Sequence, residues 1–186
     1  MVDLIYSMIT SLDGFVADAD ADVGWAEPDE EQLTAINDLE RRVGTYLYGR
    51  RMYEMLAVWE TDPSLADASP ANADYAAIWQ AADKVVYSTT LDVPTTARTR
   101  IEPAFDAEAV HQLKAAATAD LTIAGPNLAA HALAAGLVDR VECFVAPVVV
   151  GGGTPLLPDG LRFGLSLVDQ RRFTNGVVWL SYRIRS

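Results

Sequence analysis

Residues 45–54 have the sequence Thr-Tyr-Leu-Tyr-Gly-Arg-Arg-Met-Tyr-Glu, and this stretch indicates the class of fold. Thr45 to Tyr48 is rich in residues that favour β-strands, and it runs directly into Gly49 and two arginines at the start of a helical pattern. A strand followed by a glycine and a helix is typical of α/β proteins, in which ligands bind at the carboxyl ends of the strands. The segment therefore predicts a sheet and one edge of a ligand site.

Strand and helix patterns alternate on both sides of this stretch. Residues 4–9 are a short apolar run typical of a buried strand, and residues 84–87 and 121–124 are further predicted strands. Pro28 is predicted to open a helix that has apolar residues at helical spacing up to Val43 and that ends at Gly44. Because repeated alternation favours parallel crossovers, we expect an α/β fold with a mostly parallel sheet and flanking helices.

The C-terminal part of the chain has a different pattern. Residues 163–173 and 177–185 are strand-like, and Thr174-Asn175-Gly176 joins them. An Asn-Gly pair between two apolar runs is a strong hairpin signal. The sequence thus predicts a mixed sheet with an antiparallel C-terminal hairpin, in a single domain that spans residues 1–186.

The composition argues against several classes of function. The chain has 26 acidic and 14 basic residues, a formal net charge of −12, so it lacks the basic surface that nucleic acid requires. The apolar stretches fall short of the roughly 20 residues of a membrane helix, and no basic segment precedes the first of them. We expect a cytoplasmic protein with no nucleic-acid or membrane partner. Cys143 is expected to be buried, and His111 and His131 lack partners at zinc-ligand spacing, so no metal site is predicted.

Three predicted strands end in residues that can bind phosphate. These residues are Gly49-Arg50-Arg51, Ser88-Thr89-Thr90 and Ala124-Gly125-Pro126-Asn127. Arginines, hydroxyls and backbone N–H groups at helix starts all bind anions, although each group also has an ordinary explanation as a tight turn or a solvated helix face. Together they predict a phosphate-bearing nucleotide. No Gly-x-Gly-x-x-Gly or P-loop motif is present, so the site is of another type.

Further short motifs occur along nearly the whole chain. They comprise residues 11–14, Gly24-Trp25, and residues 48–54, 86–88, 123–125, 133–141 and 147–153. In these motifs and their order, the sequence resembles the dihydrofolate reductase-like superfamily, and within it the reductase domain of the bifunctional riboflavin-biosynthesis deaminase-reductase. The resemblance implies a three-layer fold, a homodimer and NADPH-dependent reduction of a small heterocyclic or carbonyl substrate. The pyrimidinone reductase step of riboflavin synthesis fits better than folate reduction.

The resemblance also implies which residues hold NADPH. The glycine and arginine segments would bind its phosphates, residues 88–90 would lie near the 2′-phosphate, and residues 9–16 and 150–154 would flank the nicotinamide. The residues predicted to contact the cofactor are Ile9, Gly14, Val16, Gly49, Arg50, Arg51, Met52, Ser88, Thr89, Thr90, Ala124, Gly125, Pro126, Asn127, Leu128 and Gly152. One departure is that Ala124 and Pro126 stand where the family usually has glycines, and a proline removes a backbone donor.

Two carboxylic acids are candidates for the catalytic role. Glu30 falls nearest to the acid that contacts the pterin in dihydrofolate reductase, and Asp13 lies in the turn after the first strand. Each also suits a structural role, Glu30 at a helix N-terminus and Asp13 in a turn. Because the cofactor supplies the hydride, few acid or base residues are needed. The alternative is a non-catalytic dimer of the same fold that binds a nucleotide or another ligand, with the C-terminal strands at or near the interface.

Overall fold

A computed structural model describes residues 2–185 of the chain. Its strands are β1 (Leu4–Thr10), β2 (Phe15–Ala17), β3 (Val43–Gly49), β4 (Asp83–Tyr87), β5 (Thr99–Glu102), β6 (Asp120–Ala124), β7 (Arg140–Val145), β8 (Thr154–Pro155), β9 (Gly164–Arg172) and β10 (Val178–Arg185). Its helices are α1 (Glu30–Glu40), α2 (Arg50–Leu56), α3 (Val58–Thr61), α4 (Pro63–Ala66), α5 (Pro70–Ala81), α6 (Ala107–Ala116) and α7 (Pro126–Ala134). None of the helices within residues 2–185 has the length and apolar character needed to cross a membrane.

Eight strands form one sheet in the order β5-β4-β3-β6-β1-β7-β10-β9. In this order, the six neighbouring strands β5, β4, β3, β6, β1 and β7 are all parallel. By contrast, β10 pairs antiparallel with both β7 and β9. Asn175 lies in the predicted hairpin turn, where its side-chain oxygen accepts a hydrogen bond from the Val177 N–H at 3.0 Å. The predicted mixed sheet with an antiparallel C-terminal hairpin is confirmed.

Helices cover both faces of the sheet and make the fold three-layered. Tyr46 and Tyr48 of β3 pack with Trp79 of α5 in one buried cluster that also includes residues of α1 and α2. Leu47, between the two tyrosines, belongs to the cluster on the opposite face, which α6 and α7 cover. This alternation along β3 follows from the two-residue period of a strand. The site described below lies on the face with the tyrosines.

The helix predicted from Pro28 to Gly44 is shorter in the structure. It begins at Glu30, where the carboxylate of the N-cap residue Asp29 accepts a hydrogen bond from the Gln32 N–H at 2.8 Å, and it ends at Glu40. Gly44 lies within β3, so the prediction that it ends the helix is wrong. A Cβ atom on Gly44 would lie 2.9 Å from the Ala119 Cβ atom. A close approach between chain segments, not helix termination, therefore explains this glycine.

Candidate functional site: a cleft at the carboxyl edge of the sheet

A cleft of about 460 Å³ lies against the carboxyl halves of β1, β3 and β6. Residues of α1, α2 and α5, and of the segment between β2 and α1, form its walls. Its lining is mostly apolar and aromatic, which is typical of sites for small organic molecules. The cleft is therefore at the place where open α/β sheets bind their ligands.

Aromatic rings line much of this cleft. Tyr46 and Tyr48 are stacked, with ring centroids 5.3 Å apart and an interplanar angle of 10°. Trp59 and Tyr75 meet edge to face at a centroid distance of 4.8 Å. Phe144 of β7 also contributes to the lining. Flat apolar surfaces of this kind suit a planar ligand, because aromatic rings pack best in stacked or edge-to-face contacts.

Three buried polar atoms face the cleft without a hydrogen-bond partner among residues 2–185. They are the Tyr46 hydroxyl, the Thr122 hydroxyl and Oε2 of Glu40. The Tyr46 hydroxyl and the Glu40 carboxyl are close enough to change each other's pKa, but they form no hydrogen bond of good geometry. Tyr46 and Thr122 are only 1% and 4% exposed, and they lie side by side because β3 and β6 pair in this register. Leaving such an atom unpaired costs about 1–3 kcal/mol. These three atoms, called the inner polar group below, are thus suited to bind a ligand.

Burial also changes the acidity of Glu40. It raises the pKa of the carboxyl group to about 7, and the negative charge of Glu142 adds to this rise. The Tyr46 hydroxyl and the Arg42 guanidinium act in the opposite direction. Glu40 can therefore hold a proton near neutral pH, and in that form it can donate a hydrogen bond as well as accept one.

Two arginines form ion pairs with the buried carboxylate of Glu142. Arg42 binds its carboxylate at 2.8 Å and Arg140 at 3.3 Å. Arg42 also lies 3.5 Å from Asp120, and Arg140 donates a hydrogen bond to Ser181 at 2.6 Å. Neither arginine is among the residues that line the cleft, so neither offers a cation to a ligand there.

The structure brings several of the predicted cofactor residues to the cleft. Four of them line it, and they come from four different segments: Ile9, Val16, Met52 and Ala124. Nearby, the guanidinium group of Arg50 donates a hydrogen bond to the Thr90 hydroxyl at 2.7 Å, and it also pairs with Glu54. Two of the three predicted phosphate-binding segments are therefore in direct contact.

The remaining residues of these two segments lie at the same strand ends. The Ser88 hydroxyl accepts hydrogen bonds from the N–H groups of Thr90 and Leu91, at 3.1 and 3.0 Å, which fixes the turn after β4. Thr89 is exposed in this turn, and Arg51 is exposed on α2. Arg51 forms no ion pair with any residue between 2 and 185. Gly49 ends β3 with open space where a Cβ atom would stand.

The third segment forms the start of α7. Gly125 is its N-cap residue and has a φ of 97°, a conformation that only glycine adopts easily. Its N–H points to the sulfur atom of Met8 at 3.4 Å, a weak acceptor that a ligand oxygen could replace. Pro126 occupies the first turn and has no N–H to donate. Asn127 is exposed, whereas the Leu128 side chain is buried in the core.

The two loops predicted to flank a nicotinamide are held together by Asp13. Its carboxylate accepts hydrogen bonds from the N–H groups of Val150 and Gly151, at 3.2 and 2.8 Å. The Ser11 hydroxyl, and then these N–H groups, hold the pKa of Asp13 below its usual value. Gly14 and Gly152 lie in the same two loops. Asp13 thus acts as a clamp between loops, and it is not among the residues that line the cleft.

Glu30 also lies outside the cleft lining, and its catalytic role stays a prediction. It is exposed in the first turn of α1, whereas Glu40, at the other end of that helix, faces the cleft. The sequence contains a signal for Glu40 that the helix prediction did not use. Glu40 follows Leu33 by seven positions and Ile36 by four, so it falls on the apolar face of the helix.

The order of the strands and the cleft at their carboxyl ends define the class of protein. This is the dihydrofolate reductase-like fold, with a mostly parallel eight-stranded sheet and antiparallel C-terminal strands. The family model of the RibD C-terminal domain matches residues 2–179. The chain therefore belongs to the RibD C-terminal domain family.

Several proteins resemble this chain over most of its length. The uncharacterized protein YyaP of Bacillus subtilis is 27% identical over 184 residues, which cover 96% of this chain and 93% of that protein. A solved structure from Shewanella sp. PV-4, provisionally assigned to riboflavin biosynthesis, matches with a TM-score of 0.78 and 20% identity over 100% of both chains. The deaminase/5-amino-6-(5-phosphoribosylamino)uracil reductase of Thermotoga maritima matches with a TM-score of 0.65 and 13% identity, over 99% of this chain and 57% of that one.

Proposed function

We propose that this protein is an NADPH-dependent reductase of a small heterocyclic or carbonyl compound. The observation that carries the proposal is the position of the cleft. It shares the carboxyl edge of the sheet with Arg50, Thr90 and Gly125, which come from three separate strand ends. An elongated ligand can thus place phosphates at the strand ends and a reactive ring in the cleft.

The residues at the strand ends fit a dinucleotide phosphate. Arg50 and Arg51 supply local positive charge in a protein of net charge −12. The N–H of Gly125, bound only to a thioether sulfur, is available to a phosphate oxygen. NADPH supplies a hydride when it is bound. Met8, Ile9 and Val16 offer an apolar surface on which its ring can lie away from water.

Titration with NADPH and NADH tests the proposal. We expect NADPH to bind at sub-millimolar concentration, with a change in its fluorescence. Arg50→Gln should weaken NADPH binding about tenfold and NADH binding less, because NADH lacks the 2′-phosphate that the pair of Arg50 and Thr90 would contact.

Arg172→Gln is the matched control for this titration. Arg172 is exposed on β9, at the far edge of the sheet, so its substitution removes the same charge without touching the site. Binding of neither nucleotide at sub-millimolar concentration would refute the proposal. An equal loss of affinity for both nucleotides would indicate that Arg50 contacts the pyrophosphate, which both nucleotides carry, and not the 2′-phosphate.

We also propose that the protein is a cytoplasmic homodimer with the C-terminal strands near the interface. In support, β9 is an edge strand, and its Leu167 and Val168 side chains are 51% and 52% exposed. Sedimentation at micromolar concentration should give a dimer, and replacement of both residues by Asn should give a monomer. A monomer in the unmodified protein contradicts this assignment.

A second candidate is a non-catalytic member of the fold that binds a ligand. Pro126 favours it, because this residue removes an N–H at the helix start where a pyrophosphate would lie. Pro126→Gly restores the donor, and its effect on NADPH affinity separates the two candidates. Tight binding in the unmodified protein with no gain from glycine favours the reductase, whereas a large gain from a weak starting affinity favours the second candidate.

A further inference from the structure

We propose that the inner polar group binds an uncharged, planar ring that both donates and accepts hydrogen bonds, and that the cleft, with the cofactor phosphates at the strand ends, offers no site for a phosphate group of the substrate. This inference rests on the proposed reductase function and deepens it by naming the class of substrate. It concerns three residues from three segments, Glu40, Tyr46 and Thr122. None of them was among the predicted site residues.

The hydrogen-bonding capacity of the cleft supports the first part. Tyr46 and Thr122 each bring a hydroxyl that can donate or accept, and Glu40 brings a carboxyl. All three have a buried polar atom that finds no partner within the described part of the chain. A cyclic amide or a similar heterocycle has donors and acceptors along one edge, so it can satisfy several of these atoms at once.

The shape and lining of the cleft support a flat ring. The stacked pair Tyr46 and Tyr48 lies beside the inner polar group, and Trp59 and Tyr75 lie edge to face in the lining. A planar heterocycle could therefore pack its faces against aromatic surface while its edge reaches Thr122 and Glu40. An apolar chain would leave the polar atoms unsatisfied, at a cost for each of them.

The charges around the cleft support the exclusion of phosphate. Glu27 and Glu40 are the charged residues in its lining, and no Arg, Lys or His is among the residues that line it within 2–185. The segment between β2 and α1, which contributes to the lining, contains further acidic residues: Asp18, Asp20, Asp22, Asp29. A phosphate group in the cleft would lose hydration without gaining a cation. This contrasts with the phosphoribosyl substrate in the name of the Thermotoga protein.

The environment of Glu40 is consistent with an uncharged partner. Two charged groups besides Tyr46 act on it, Glu142 from β7 and Arg42 after α1. The Glu40 carboxylate in turn raises the pKa values of Tyr48 and Tyr75 in the same cleft. Burial and Glu142 favour the protonated carboxyl, whose pKa is about 7. A protonated carboxyl can form two hydrogen bonds with a cyclic amide, one as donor and one as acceptor.

Matched probes test this inference by calorimetry and by ligand-observed NMR. The uncharged probes are uracil, isatin and lumazine, and the anionic probes are orotate, which is uracil with a carboxylate, and uridine 5′-monophosphate. Each is titrated against the protein alone and against the protein with NADP⁺. We expect at least one uncharged probe to bind with a millimolar or lower Kd. Orotate should bind at least tenfold more weakly than uracil, and so should the nucleotide when NADP⁺ occupies the strand ends.

Two isosteric variants separate binding from a structural role. Tyr46→Phe and Thr122→Val should each raise the Kd of the probe roughly three- to tenfold, which is the effect of losing one buried hydrogen bond. Without the probe, Thr122→Val should not lower the midpoint of urea unfolding, because it removes a hydroxyl that has no partner. Tyr46→Phe should lower the midpoint only slightly, because its hydroxyl has only the neighbouring Glu40 carboxyl. Tyr182→Phe, on β10 and outside the cleft lining, is the control and should change neither quantity.

Several results would overturn the inference. They are orotate binding as tightly as uracil, the nucleotide doing so when NADP⁺ occupies the strand ends, no binding of any uncharged probe, and unchanged probe affinity in both variants. A lower urea midpoint in both variants would show that the hydroxyls serve the fold instead. NADP⁺ binding is measured separately, so a failed cofactor titration with discriminating probe binding would refute the reductase and not this subsite.

Discussion

Replacing Glu40 by glutamine should make the protein more stable at high pH. The pKa of the Glu40 carboxyl is about 7 in the folded chain, against an ordinary value of 4.5. Between these two values the folded state retains a proton that the unfolded state has lost, so stability falls as the pH rises. Above pH 7 the carboxyl is ionised in both states, and the full cost of a buried charge remains. Glu40→Gln keeps the shape of the side chain and removes the titration.

The size of the effect follows from the two pKa values. One pKa unit corresponds to about 1.4 kcal/mol. Between pH 5 and pH 8 the unmodified protein should therefore lose about 2–3 kcal/mol of unfolding free energy relative to Glu40→Gln. For a chain of this length, this is a difference of roughly 5–10 °C in Tm. Urea unfolding followed by tryptophan fluorescence at several pH values measures it directly.

Glu30→Gln is the control for this experiment. Glu30 lies on the same helix but is exposed to water, so its substitution should change stability by a similar small amount at pH 5 and pH 8. If the stability of Glu40→Gln and of the unmodified protein changes in parallel from pH 5 to pH 8, Glu40 is solvated and ionised in the folded chain. The reasoning from burial would then be wrong.

Three further substitutions test the packing and the loops around the site. Gly125→Ala should lower the unfolding free energy by at least about 1 kcal/mol in urea titration, because φ at this position is 97°; an unchanged midpoint would contradict the strain. Asp13→Asn should speed hydrogen exchange at Val150 and Gly151, whose N–H groups its carboxylate accepts, and equal exchange rates would exclude the clamp. Leu47→Ala, at a fully buried position of β3, should lower the unfolding free energy by about 2–5 kcal/mol. A loss below about 1 kcal/mol would indicate that neighbouring core residues move into the space that the leucine leaves.

Much of the fold could be predicted because its signals are local. The Asn175-Gly176 pair predicts the hairpin of β9 and β10, and Tyr46 to Gly49 predicts a strand that leads into a helix. Cys143 is buried as expected, and burial raises its pKa to about 11. The error at Gly44 has a physical cause. In the sequence, a glycine that ends a helix cannot be distinguished from a glycine that allows a close contact. The distinction requires the residue packed against it in the fold, which is Ala119.

The inner polar group was missed because it depends on pairing between distant strands. Tyr46 and Thr122 are adjacent only because β3 pairs with β6, and seven helices and strands lie between these two strands along the chain. Each residue alone reads as part of an ordinary strand. The phosphate-binding segments were easier to predict, since glycine, arginine and hydroxyl groups at strand ends can be recognised one at a time.

The central position of β1 has a consequence for how the chain folds during synthesis. This strand lies between β6 and β7, so residues 4–10 find their partners only at residues 120–145. Even the N–H of Leu4 is bound by the side chain of Asp139. Such distant contacts make folding slow. While the ribosome adds the middle of the chain, the apolar N-terminal strand must wait unpaired, and in this interval it is open to chaperones or to aggregation.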